Sequence, residues 1–248
     1  MRLLTLDLET SPSVAHVWGL WKQNVSLNQL MESGSVISFA AKWHGEKPVM
    51  FHSDFHNTHE QMVQSAHAFL SEADAVIHYN GTSFDMPLLN REFLLAGMSP
   101  PEPYKNIDLL KVAREKFRFV SNKLEYVSRS VGLEGKAHHE GHNLWVRCMA
   151  GDKAAWDVMR RYNKQDVVLT EKLYDILLPW ISGHPNPALY VSGDEGRPTC
   201  ERCGSTRLTK QGFAHTQVSV FQQWKCLDCL SWSRSARRIA GVDLRGTA

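Results

Sequence analysis

No run of this sequence approaches 18 consecutive apolar residues, so nothing in it reads as a membrane-spanning helix and no membrane partner is expected. A charged-then-apolar leader is missing too. Strand-like sequence carrying acids begins at once, which points to a cytoplasmic protein. Internal repeats are absent, which removes solenoids and propellers from consideration. Cysteine is scarce, five in 248 residues, and a reducing compartment argues against disulfides. Net charge is small, at +2, but it hides an asymmetry. Residues 1–195 hold 19 Lys/Arg against 23 Asp/Glu, whereas residues 196–248 hold 9 against 3. A basic tail on a mildly acidic body implies two jobs and a polyanionic partner for the tail.

What is present describes a globular chain: 43% apolar and 22% charged residues, long enough for one well-buried domain and a small appendage. Strands are expected over Leu3–Thr10, Val36–Trp43, Pro48–His52, Ala75–Tyr79 and Asn106–Leu110. Helical spacing covers residues 58–71, Phe84–Leu95, Lys123–Ser130 and 152–180, the last capped by Asp152, and the fifth strand runs into a further helix. Short turns make the first three strands an antiparallel meander, and helical crossovers make the later ones parallel. The expected fold is α/β: a mixed sheet flanked by helices, similar to ribonuclease H, with a small β module at the C-terminus. The boundaries drawn are a domain over 1–181, a linker over 182–197, a module over 198–235 and a basic tail over 236–248.

The first strand carries the chemistry. Asp7 and Glu9 alternate within an apolar run, so both side chains leave the same face of a buried strand. Two like charges there repel and are costly to desolvate, and a divalent cation is the natural compensation. Oxygen donors suit Mg²⁺ or Mn²⁺. Three other segments offer partners. Asn80-Gly81-Thr82-Ser83-Phe84-Asp85 ends a strand in a small-residue turn with an acid at a helix start, where Asp85 is either a cap or a ligand. Tyr162 and Asp166, at i and i+4, share a helix face. Asp108, closing the fifth strand, reads as a cap or supporting group.

Asp7-x-Glu9, Asn80-Gly-x-x-Phe84-Asp85 and Tyr162-x3-Asp166, in that order, resemble the DEDD 3′→5′ exonucleases over residues 1–180. The likeness is strongest to the predicted-exonuclease branch of bacteria and phages, which for a phage protein means the host cytoplasm. Arg161 stands where the common subtype has a histidine, and Tyr162 matches the tyrosine subtype. The resemblance implies nucleic acid as substrate, with DNA favoured over RNA, and two Mg²⁺ or Mn²⁺ ions. Asp7 would bridge both ions, Glu9 and Asp166 would complete one, Asp85 would serve the other through water, and Tyr162 would orient the attacking water. Two alternatives stay open: an inactive nucleic-acid-binding protein, and an endonuclease on hybrids or branched DNA.

Weaker candidates surround these. Asn80 belongs to the second motif. Lys123, at a helix start, suits a substrate phosphate or simply solvent. Trp18 and Trp21 read first as core or lid packing, with stacking on unpaired bases the second choice. The run His138-His139-Glu140-Gly141-His142 reads as a polar loop, and Cys148 as a small buried apolar group. In the tail, Cys200-x2-Cys203 and Cys226-x2-Cys229 flank a β-patterned insert, the spacing of one structural Zn²⁺ held by four thiolates, and the segment resembles a zinc ribbon. Its third strand is expected over Leu230–Ser233. Arg207, Lys210 and Trp224 are its candidate nucleic-acid contacts.

Overall fold

The structure, a computed structural model, describes residues 1–135, 140–190 and 198–246. The chain divides into two compact units, Arg2–Tyr174 and Asp175–Ala248.

In the first unit, strand β1 (Leu3–Thr10) explains its own sequence. Leu4, Leu6 and Leu8 enter a core with Met62, Val63, Ala66 and Leu70 from α1 (His59–Glu72) and Met86, Leu89 and Phe93 from α2 (Asp85–Leu95). The alternate positions, Thr5, Asp7 and Glu9, therefore leave by the opposite face. β2 (Val14–Ala15) and β3 (Leu30–Glu32) pair with each other as a small stem, and β4 (Val36–Trp43) then returns antiparallel to β1. All eight β4 residues are buried, as a strand covered on both faces requires. β5 (Met50–Ser53) pairs with β4; β6 (Ala75–His78) and β7 (Lys105–Asp108) extend the other side in parallel. The sheet order is β5-β4-β1-β6-β7. That is the expected mixed α/β sheet, three antiparallel strands followed by parallel ones, flanked by helices.

α3 (Leu109–Lys116) and α4 (Leu124–Ser130) follow, then α5 (His142–Met149) and α6 (Lys153–Leu177). Asp152 caps α6, its Oδ1 accepting from the amides of Ala154 (2.8 Å) and Ala155 (3.3 Å). Leu144 and Cys148 of α5 pack with Trp156, Met159 and Tyr162 of α6 and with Ile37 of β4. Cys148 is the buried apolar group expected, and burial pushes its thiol up to about 11.

Several expectations need correction. Helix α5 was not foreseen, because a histidine-rich polar run precedes it. Trp18 and Trp21 are not core residues: they are 98% and 86% exposed. His142 opens α5, while His138 and His139 lie outside the described residues. The fifth strand ends at Asp108, whose carboxylate caps α3 and so starts a helix at Leu109.

In the second unit, β8 (Leu208–His215), β9 (Ser219–Cys226) and β10 (Trp232–Gly241) form a three-stranded antiparallel sheet in the order β10-β9-β8. β10 is far longer than the expected Leu230–Ser233. Residues 236–241, read as the start of a basic tail, continue it through register shifts between Arg234 and Ala240. Among the described residues, no helix is long and apolar enough to cross a membrane.

Candidate active site

β1 delivers Asp7 and Glu9, and α6 delivers Asp166 onto the same spot. One carboxylate oxygen from each of the three lies within 4.8 Å of the others. Asp166 is 1% exposed, so this concentration of negative charge sits partly out of water. Helical spacing puts two further residues, Asn163 and Tyr162, one turn before Asp166. Asn163, fully buried three residues before Asp166, donates its Nδ2 to Asp7 Oδ2 at 2.8 Å and to the Asp7 main-chain oxygen at 3.2 Å. Tyr162 packs edge-on to Trp145, ring centroids 6.4 Å apart, in the cluster beneath β4.

Asp85 arrives differently. It is not one of the three convergent acids. Pairing of β1 with β6 ends at Thr5, and past that point the Asp85 carboxyl accepts a hydrogen bond from the Leu8 amide, between Asp7 and Glu9. Burial pushes Asp85 up to about 7, with the Asp108 charge adding to the rise and the Leu8 and Asp85 amides opposing it. A cation beside this carboxyl would favour its ionised form.

A hydrogen-bonded turn holds Asp85 in place. Asp108 Oδ1 accepts from the amides of Asn80 (2.9 Å) and Leu110 (3.1 Å), and Oδ2 from that of Thr82 (3.3 Å). Asn80 takes φ +71°, and a Cβ on Gly81 would lie 2.4 Å from His78 Cγ, so only glycine fits. His78 Nδ1 accepts from the Gly81 amide at 3.0 Å and Nε2 donates to Asn106 Oδ1 at 2.9 Å. An Nδ1 that accepts is unprotonated. The ring is therefore neutral, although Asp108 Oδ2 stands only 3.8 Å away, and burial lowers its pKa.

The weaker candidates are spread out. Lys123 precedes a helix of only seven residues. Trp18 and Trp21 stand on the excursion that leaves β1 just after Glu9, its stem tied by the Gln29 amide side chain to the His16 carbonyl (2.9 Å). Asp108 is the cap and supporting group expected, whereas Asn163 was not foreseen. Asn163 was visible as the residue after Tyr162, but nothing in one sequence says which neighbour of a ligand faces inward.

In the second unit the Sγ atoms of Cys200, Cys203, Cys226 and Cys229 also converge within 4.8 Å. The Cys200–Cys229 and Cys203–Cys226 separations are 3.5 and 3.7 Å. Four thiolates about 2.3 Å from one zinc stand roughly 3.8 Å apart, so the donor set fits Zn²⁺. Burial raises the Cys200 thiol, but the Ser231 hydroxyl and the Cys203 and Arg202 amides outweigh it and draw the group down to about 7. Arg207 is engaged with Asp228 at 2.5 Å. Lys210 lies over the Trp224 ring at 5.5 Å.

Comparison with known proteins agrees with this architecture. A family B DNA polymerase from the hyperthermophilic archaeon Pyrobaculum calidifontis matches with a TM-score of 0.55 at 18% identity. The match covers 72% of this chain and 24% of the polymerase, so the chain spans about a quarter of that protein's length. No curated protein sequence matches significantly. A sequence model of the RNase_H superfamily matches residues 29–178, beginning after the Asp7–Glu9 pair. With the matched segment spanning more than half its length, the chain belongs to the RNase_H superfamily.

Proposed function

We propose that this protein is a metal-dependent 3′→5′ exonuclease that hydrolyses phosphodiester bonds of nucleic acid, DNA in preference to RNA. The observation that carries the reading is the meeting of Asp7, Glu9 and Asp166, from residues 159 positions apart at the extremes, on one face of β1. The resemblance of the three ordered motifs to the tyrosine-type DEDD exonucleases supplies the end-directed activity. The likeness to a DNA polymerase supports DNA as the substrate. A domain over 1–181 and a linker over 182–197 belong to the same proposal, with the C-terminal module running from 198 to the end of β10 at Gly241.

Asp7, Glu9 and Asp166 would hold one divalent cation, and Asp7 with Asp85 a second. Bound Mg²⁺ or Mn²⁺ would supply charge stabilisation to the attacking and leaving oxygens of the phosphodiester. Asn163 holds the Asp7 carboxylate in its ligating rotamer. Tyr162, on the helix face it shares with Asp166, aims the attacking water at the phosphorus, and the surrounding Trp145 and Ile37 fix its ring. Asn80, Lys123, Trp18 and Trp21 are the proposed contacts to the substrate strand on this unit. The four cysteines would form a structural zinc site, making the C-terminal unit a ribbon that strengthens substrate binding.

The test is a linear and a circular single strand of one sequence, each incubated with Mn²⁺. Mononucleotide release from the linear strand alone, abolished by Asp7→Ala or Asp166→Ala, is the expected result. Cutting of the circle would establish an endonuclease, and wild-type rates in either variant would end the assignment.

A further inference from the structure

Strand register divides the C-terminal sheet into two unlike faces. Lys210, Trp224 and Ser233 share one row across β8, β9 and β10, on the side that also carries the buried Cys226. The next row, Thr209, Lys225 and Trp232, faces the other way together with Gln223 and its cross-strand partner Arg234. This second face bears no cysteine. On it, Lys225 Nζ lies over the Trp232 ring at 5.5 Å, and the Arg234 guanidinium over the Phe221 ring at 3.9 Å. Trp232 is 45% exposed, and Arg234 is exposed. A groove of about 650 Å³ runs here, with Trp232, Arg234, Gln223 and Ala214 in its lining. Glu201 also lines it, and that carboxylate is answered by Arg202 at 3.5 Å.

Resting on the exonuclease reading, we infer that this face, and not the Lys210–Trp224 face, is where the ribbon holds a single strand of nucleic acid. Charge selects the occupant. Residues 198–246 carry eight Lys/Arg against three Asp/Glu, and Lys225 and Arg234 on this face sit against aromatic rings, with no ion pair to an acid among the described residues. A strand of nucleic acid matches both halves of that pattern. Its phosphates meet Lys225, Arg234 and Arg238, the cross-strand partner of Phe221, while an unpaired base stacks on the half-exposed Trp232. Gln223, between the two cation–ring pairs, offers both a donor and an acceptor, so it meets any base edge without selecting one. The site therefore serves affinity, not sequence choice.

The experiment uses the full chain with Asp166→Ala, which prevents cleavage, and follows the anisotropy of fluorescein-labelled oligo-dT and oligo-U at several salt concentrations. Trp232→Ala with Arg234→Ala should weaken binding at least tenfold and make the salt dependence shallower by about 0.7 in log–log slope for the lost arginine. Trp232→Phe should restore most of the affinity. Lys210→Ala with Trp224→Ala should change it less than threefold. Zinc content guards against unfolding, and charge reversal by Arg234→Glu gives a second route to the same loss. Equal effects from both faces, no effect from the first, or a Trp232-dependent dimer in light scattering would each overturn the inference. Hydrolysis of the p-nitrophenyl ester of thymidine 5′-monophosphate, in the chain with Asp166 intact, reads the catalytic site separately. Release of p-nitrophenolate by the wild type with Mn²⁺ is the expected result. An inert wild type here removes the exonuclease reading and leaves the binding result standing.

Discussion

At the scale of single residues, the site depends on side chains that do not themselves resemble catalysts. Asn163 reaches Asp7 with one amide nitrogen, and its buried Oδ1 has no hydrogen-bond partner among the described residues, an arrangement costly enough to need a reason. Fixing the rotamer of a ligating carboxylate is such a reason. Asn163→Ala is predicted to raise the Mn²⁺ concentration for half-maximal binding by about tenfold, read by calorimetry on the protein without substrate. Its effect on folding should stay within about 1–3 kcal/mol, since two hydrogen bonds from one nitrogen are lost. Unchanged Mn²⁺ affinity would reduce Asn163 to a packing residue. Asp7, Glu9 and Asp166 were legible in the sequence because period 2 on a strand and i,i+4 on a helix each put two groups on one face. Asn163 was not, since its inward aim depends on how α6 is rotated against β1, a tertiary quantity.

At the scale of elements, two joints hold the acids where they are. One is the β6–α2 turn, where Gly81 lies against the ring of His78. Gly81→Ala should cost about 1–3 kcal/mol through this clash, seen as a lower urea midpoint. His78 makes the joint pH-sensitive. Its pKa in the folded state is lowered below the ordinary 6.5, so the unfolded chain takes the proton first as pH falls. Its contribution is complete above pH 6.5 and is lost as pH falls through the lowered value. Urea midpoints at pH 7 and pH 5 should therefore differ more for wild type than for His78→Asn. The second joint is the buried pair of Lys42 on β4 with Glu171 on α6, which are 2.5 Å apart. Glu171→Ala strands the lysine, at about 3–5 kcal/mol. Sequence periodicity found both parent elements here. It missed α5, whose apolar stripe of Leu144 and Cys148 is short and follows a polar run. Residue type alone suggested core or lid packing for Trp18 and Trp21; the core half fails, because a stem only two and three residues long presents them to solvent.

At the scale of the whole molecule, the basic excess lies in the smaller unit, which holds 9 Lys/Arg against 6 Asp/Glu, while the larger is nearly balanced at 19 against 20. The larger carries the acids, and the smaller carries the cysteine cluster and the excess of Lys/Arg. The small unit has little core beyond its cysteines, so its folding should depend on metal: one zinc per chain by elemental analysis, lost in Cys226→Ser. The central claim concerns the larger unit. It is tested most directly by digesting one single strand labelled at its 5′ end and again at its 3′ end, with Mn²⁺ and then with chelator. The proposed 3′→5′ exonuclease activity predicts immediate release of the 3′ label as a mononucleotide, a ladder of shortening 5′-labelled products, and silence with chelator. Release of the 5′ label first, or digestion indifferent to the cation, would contradict it.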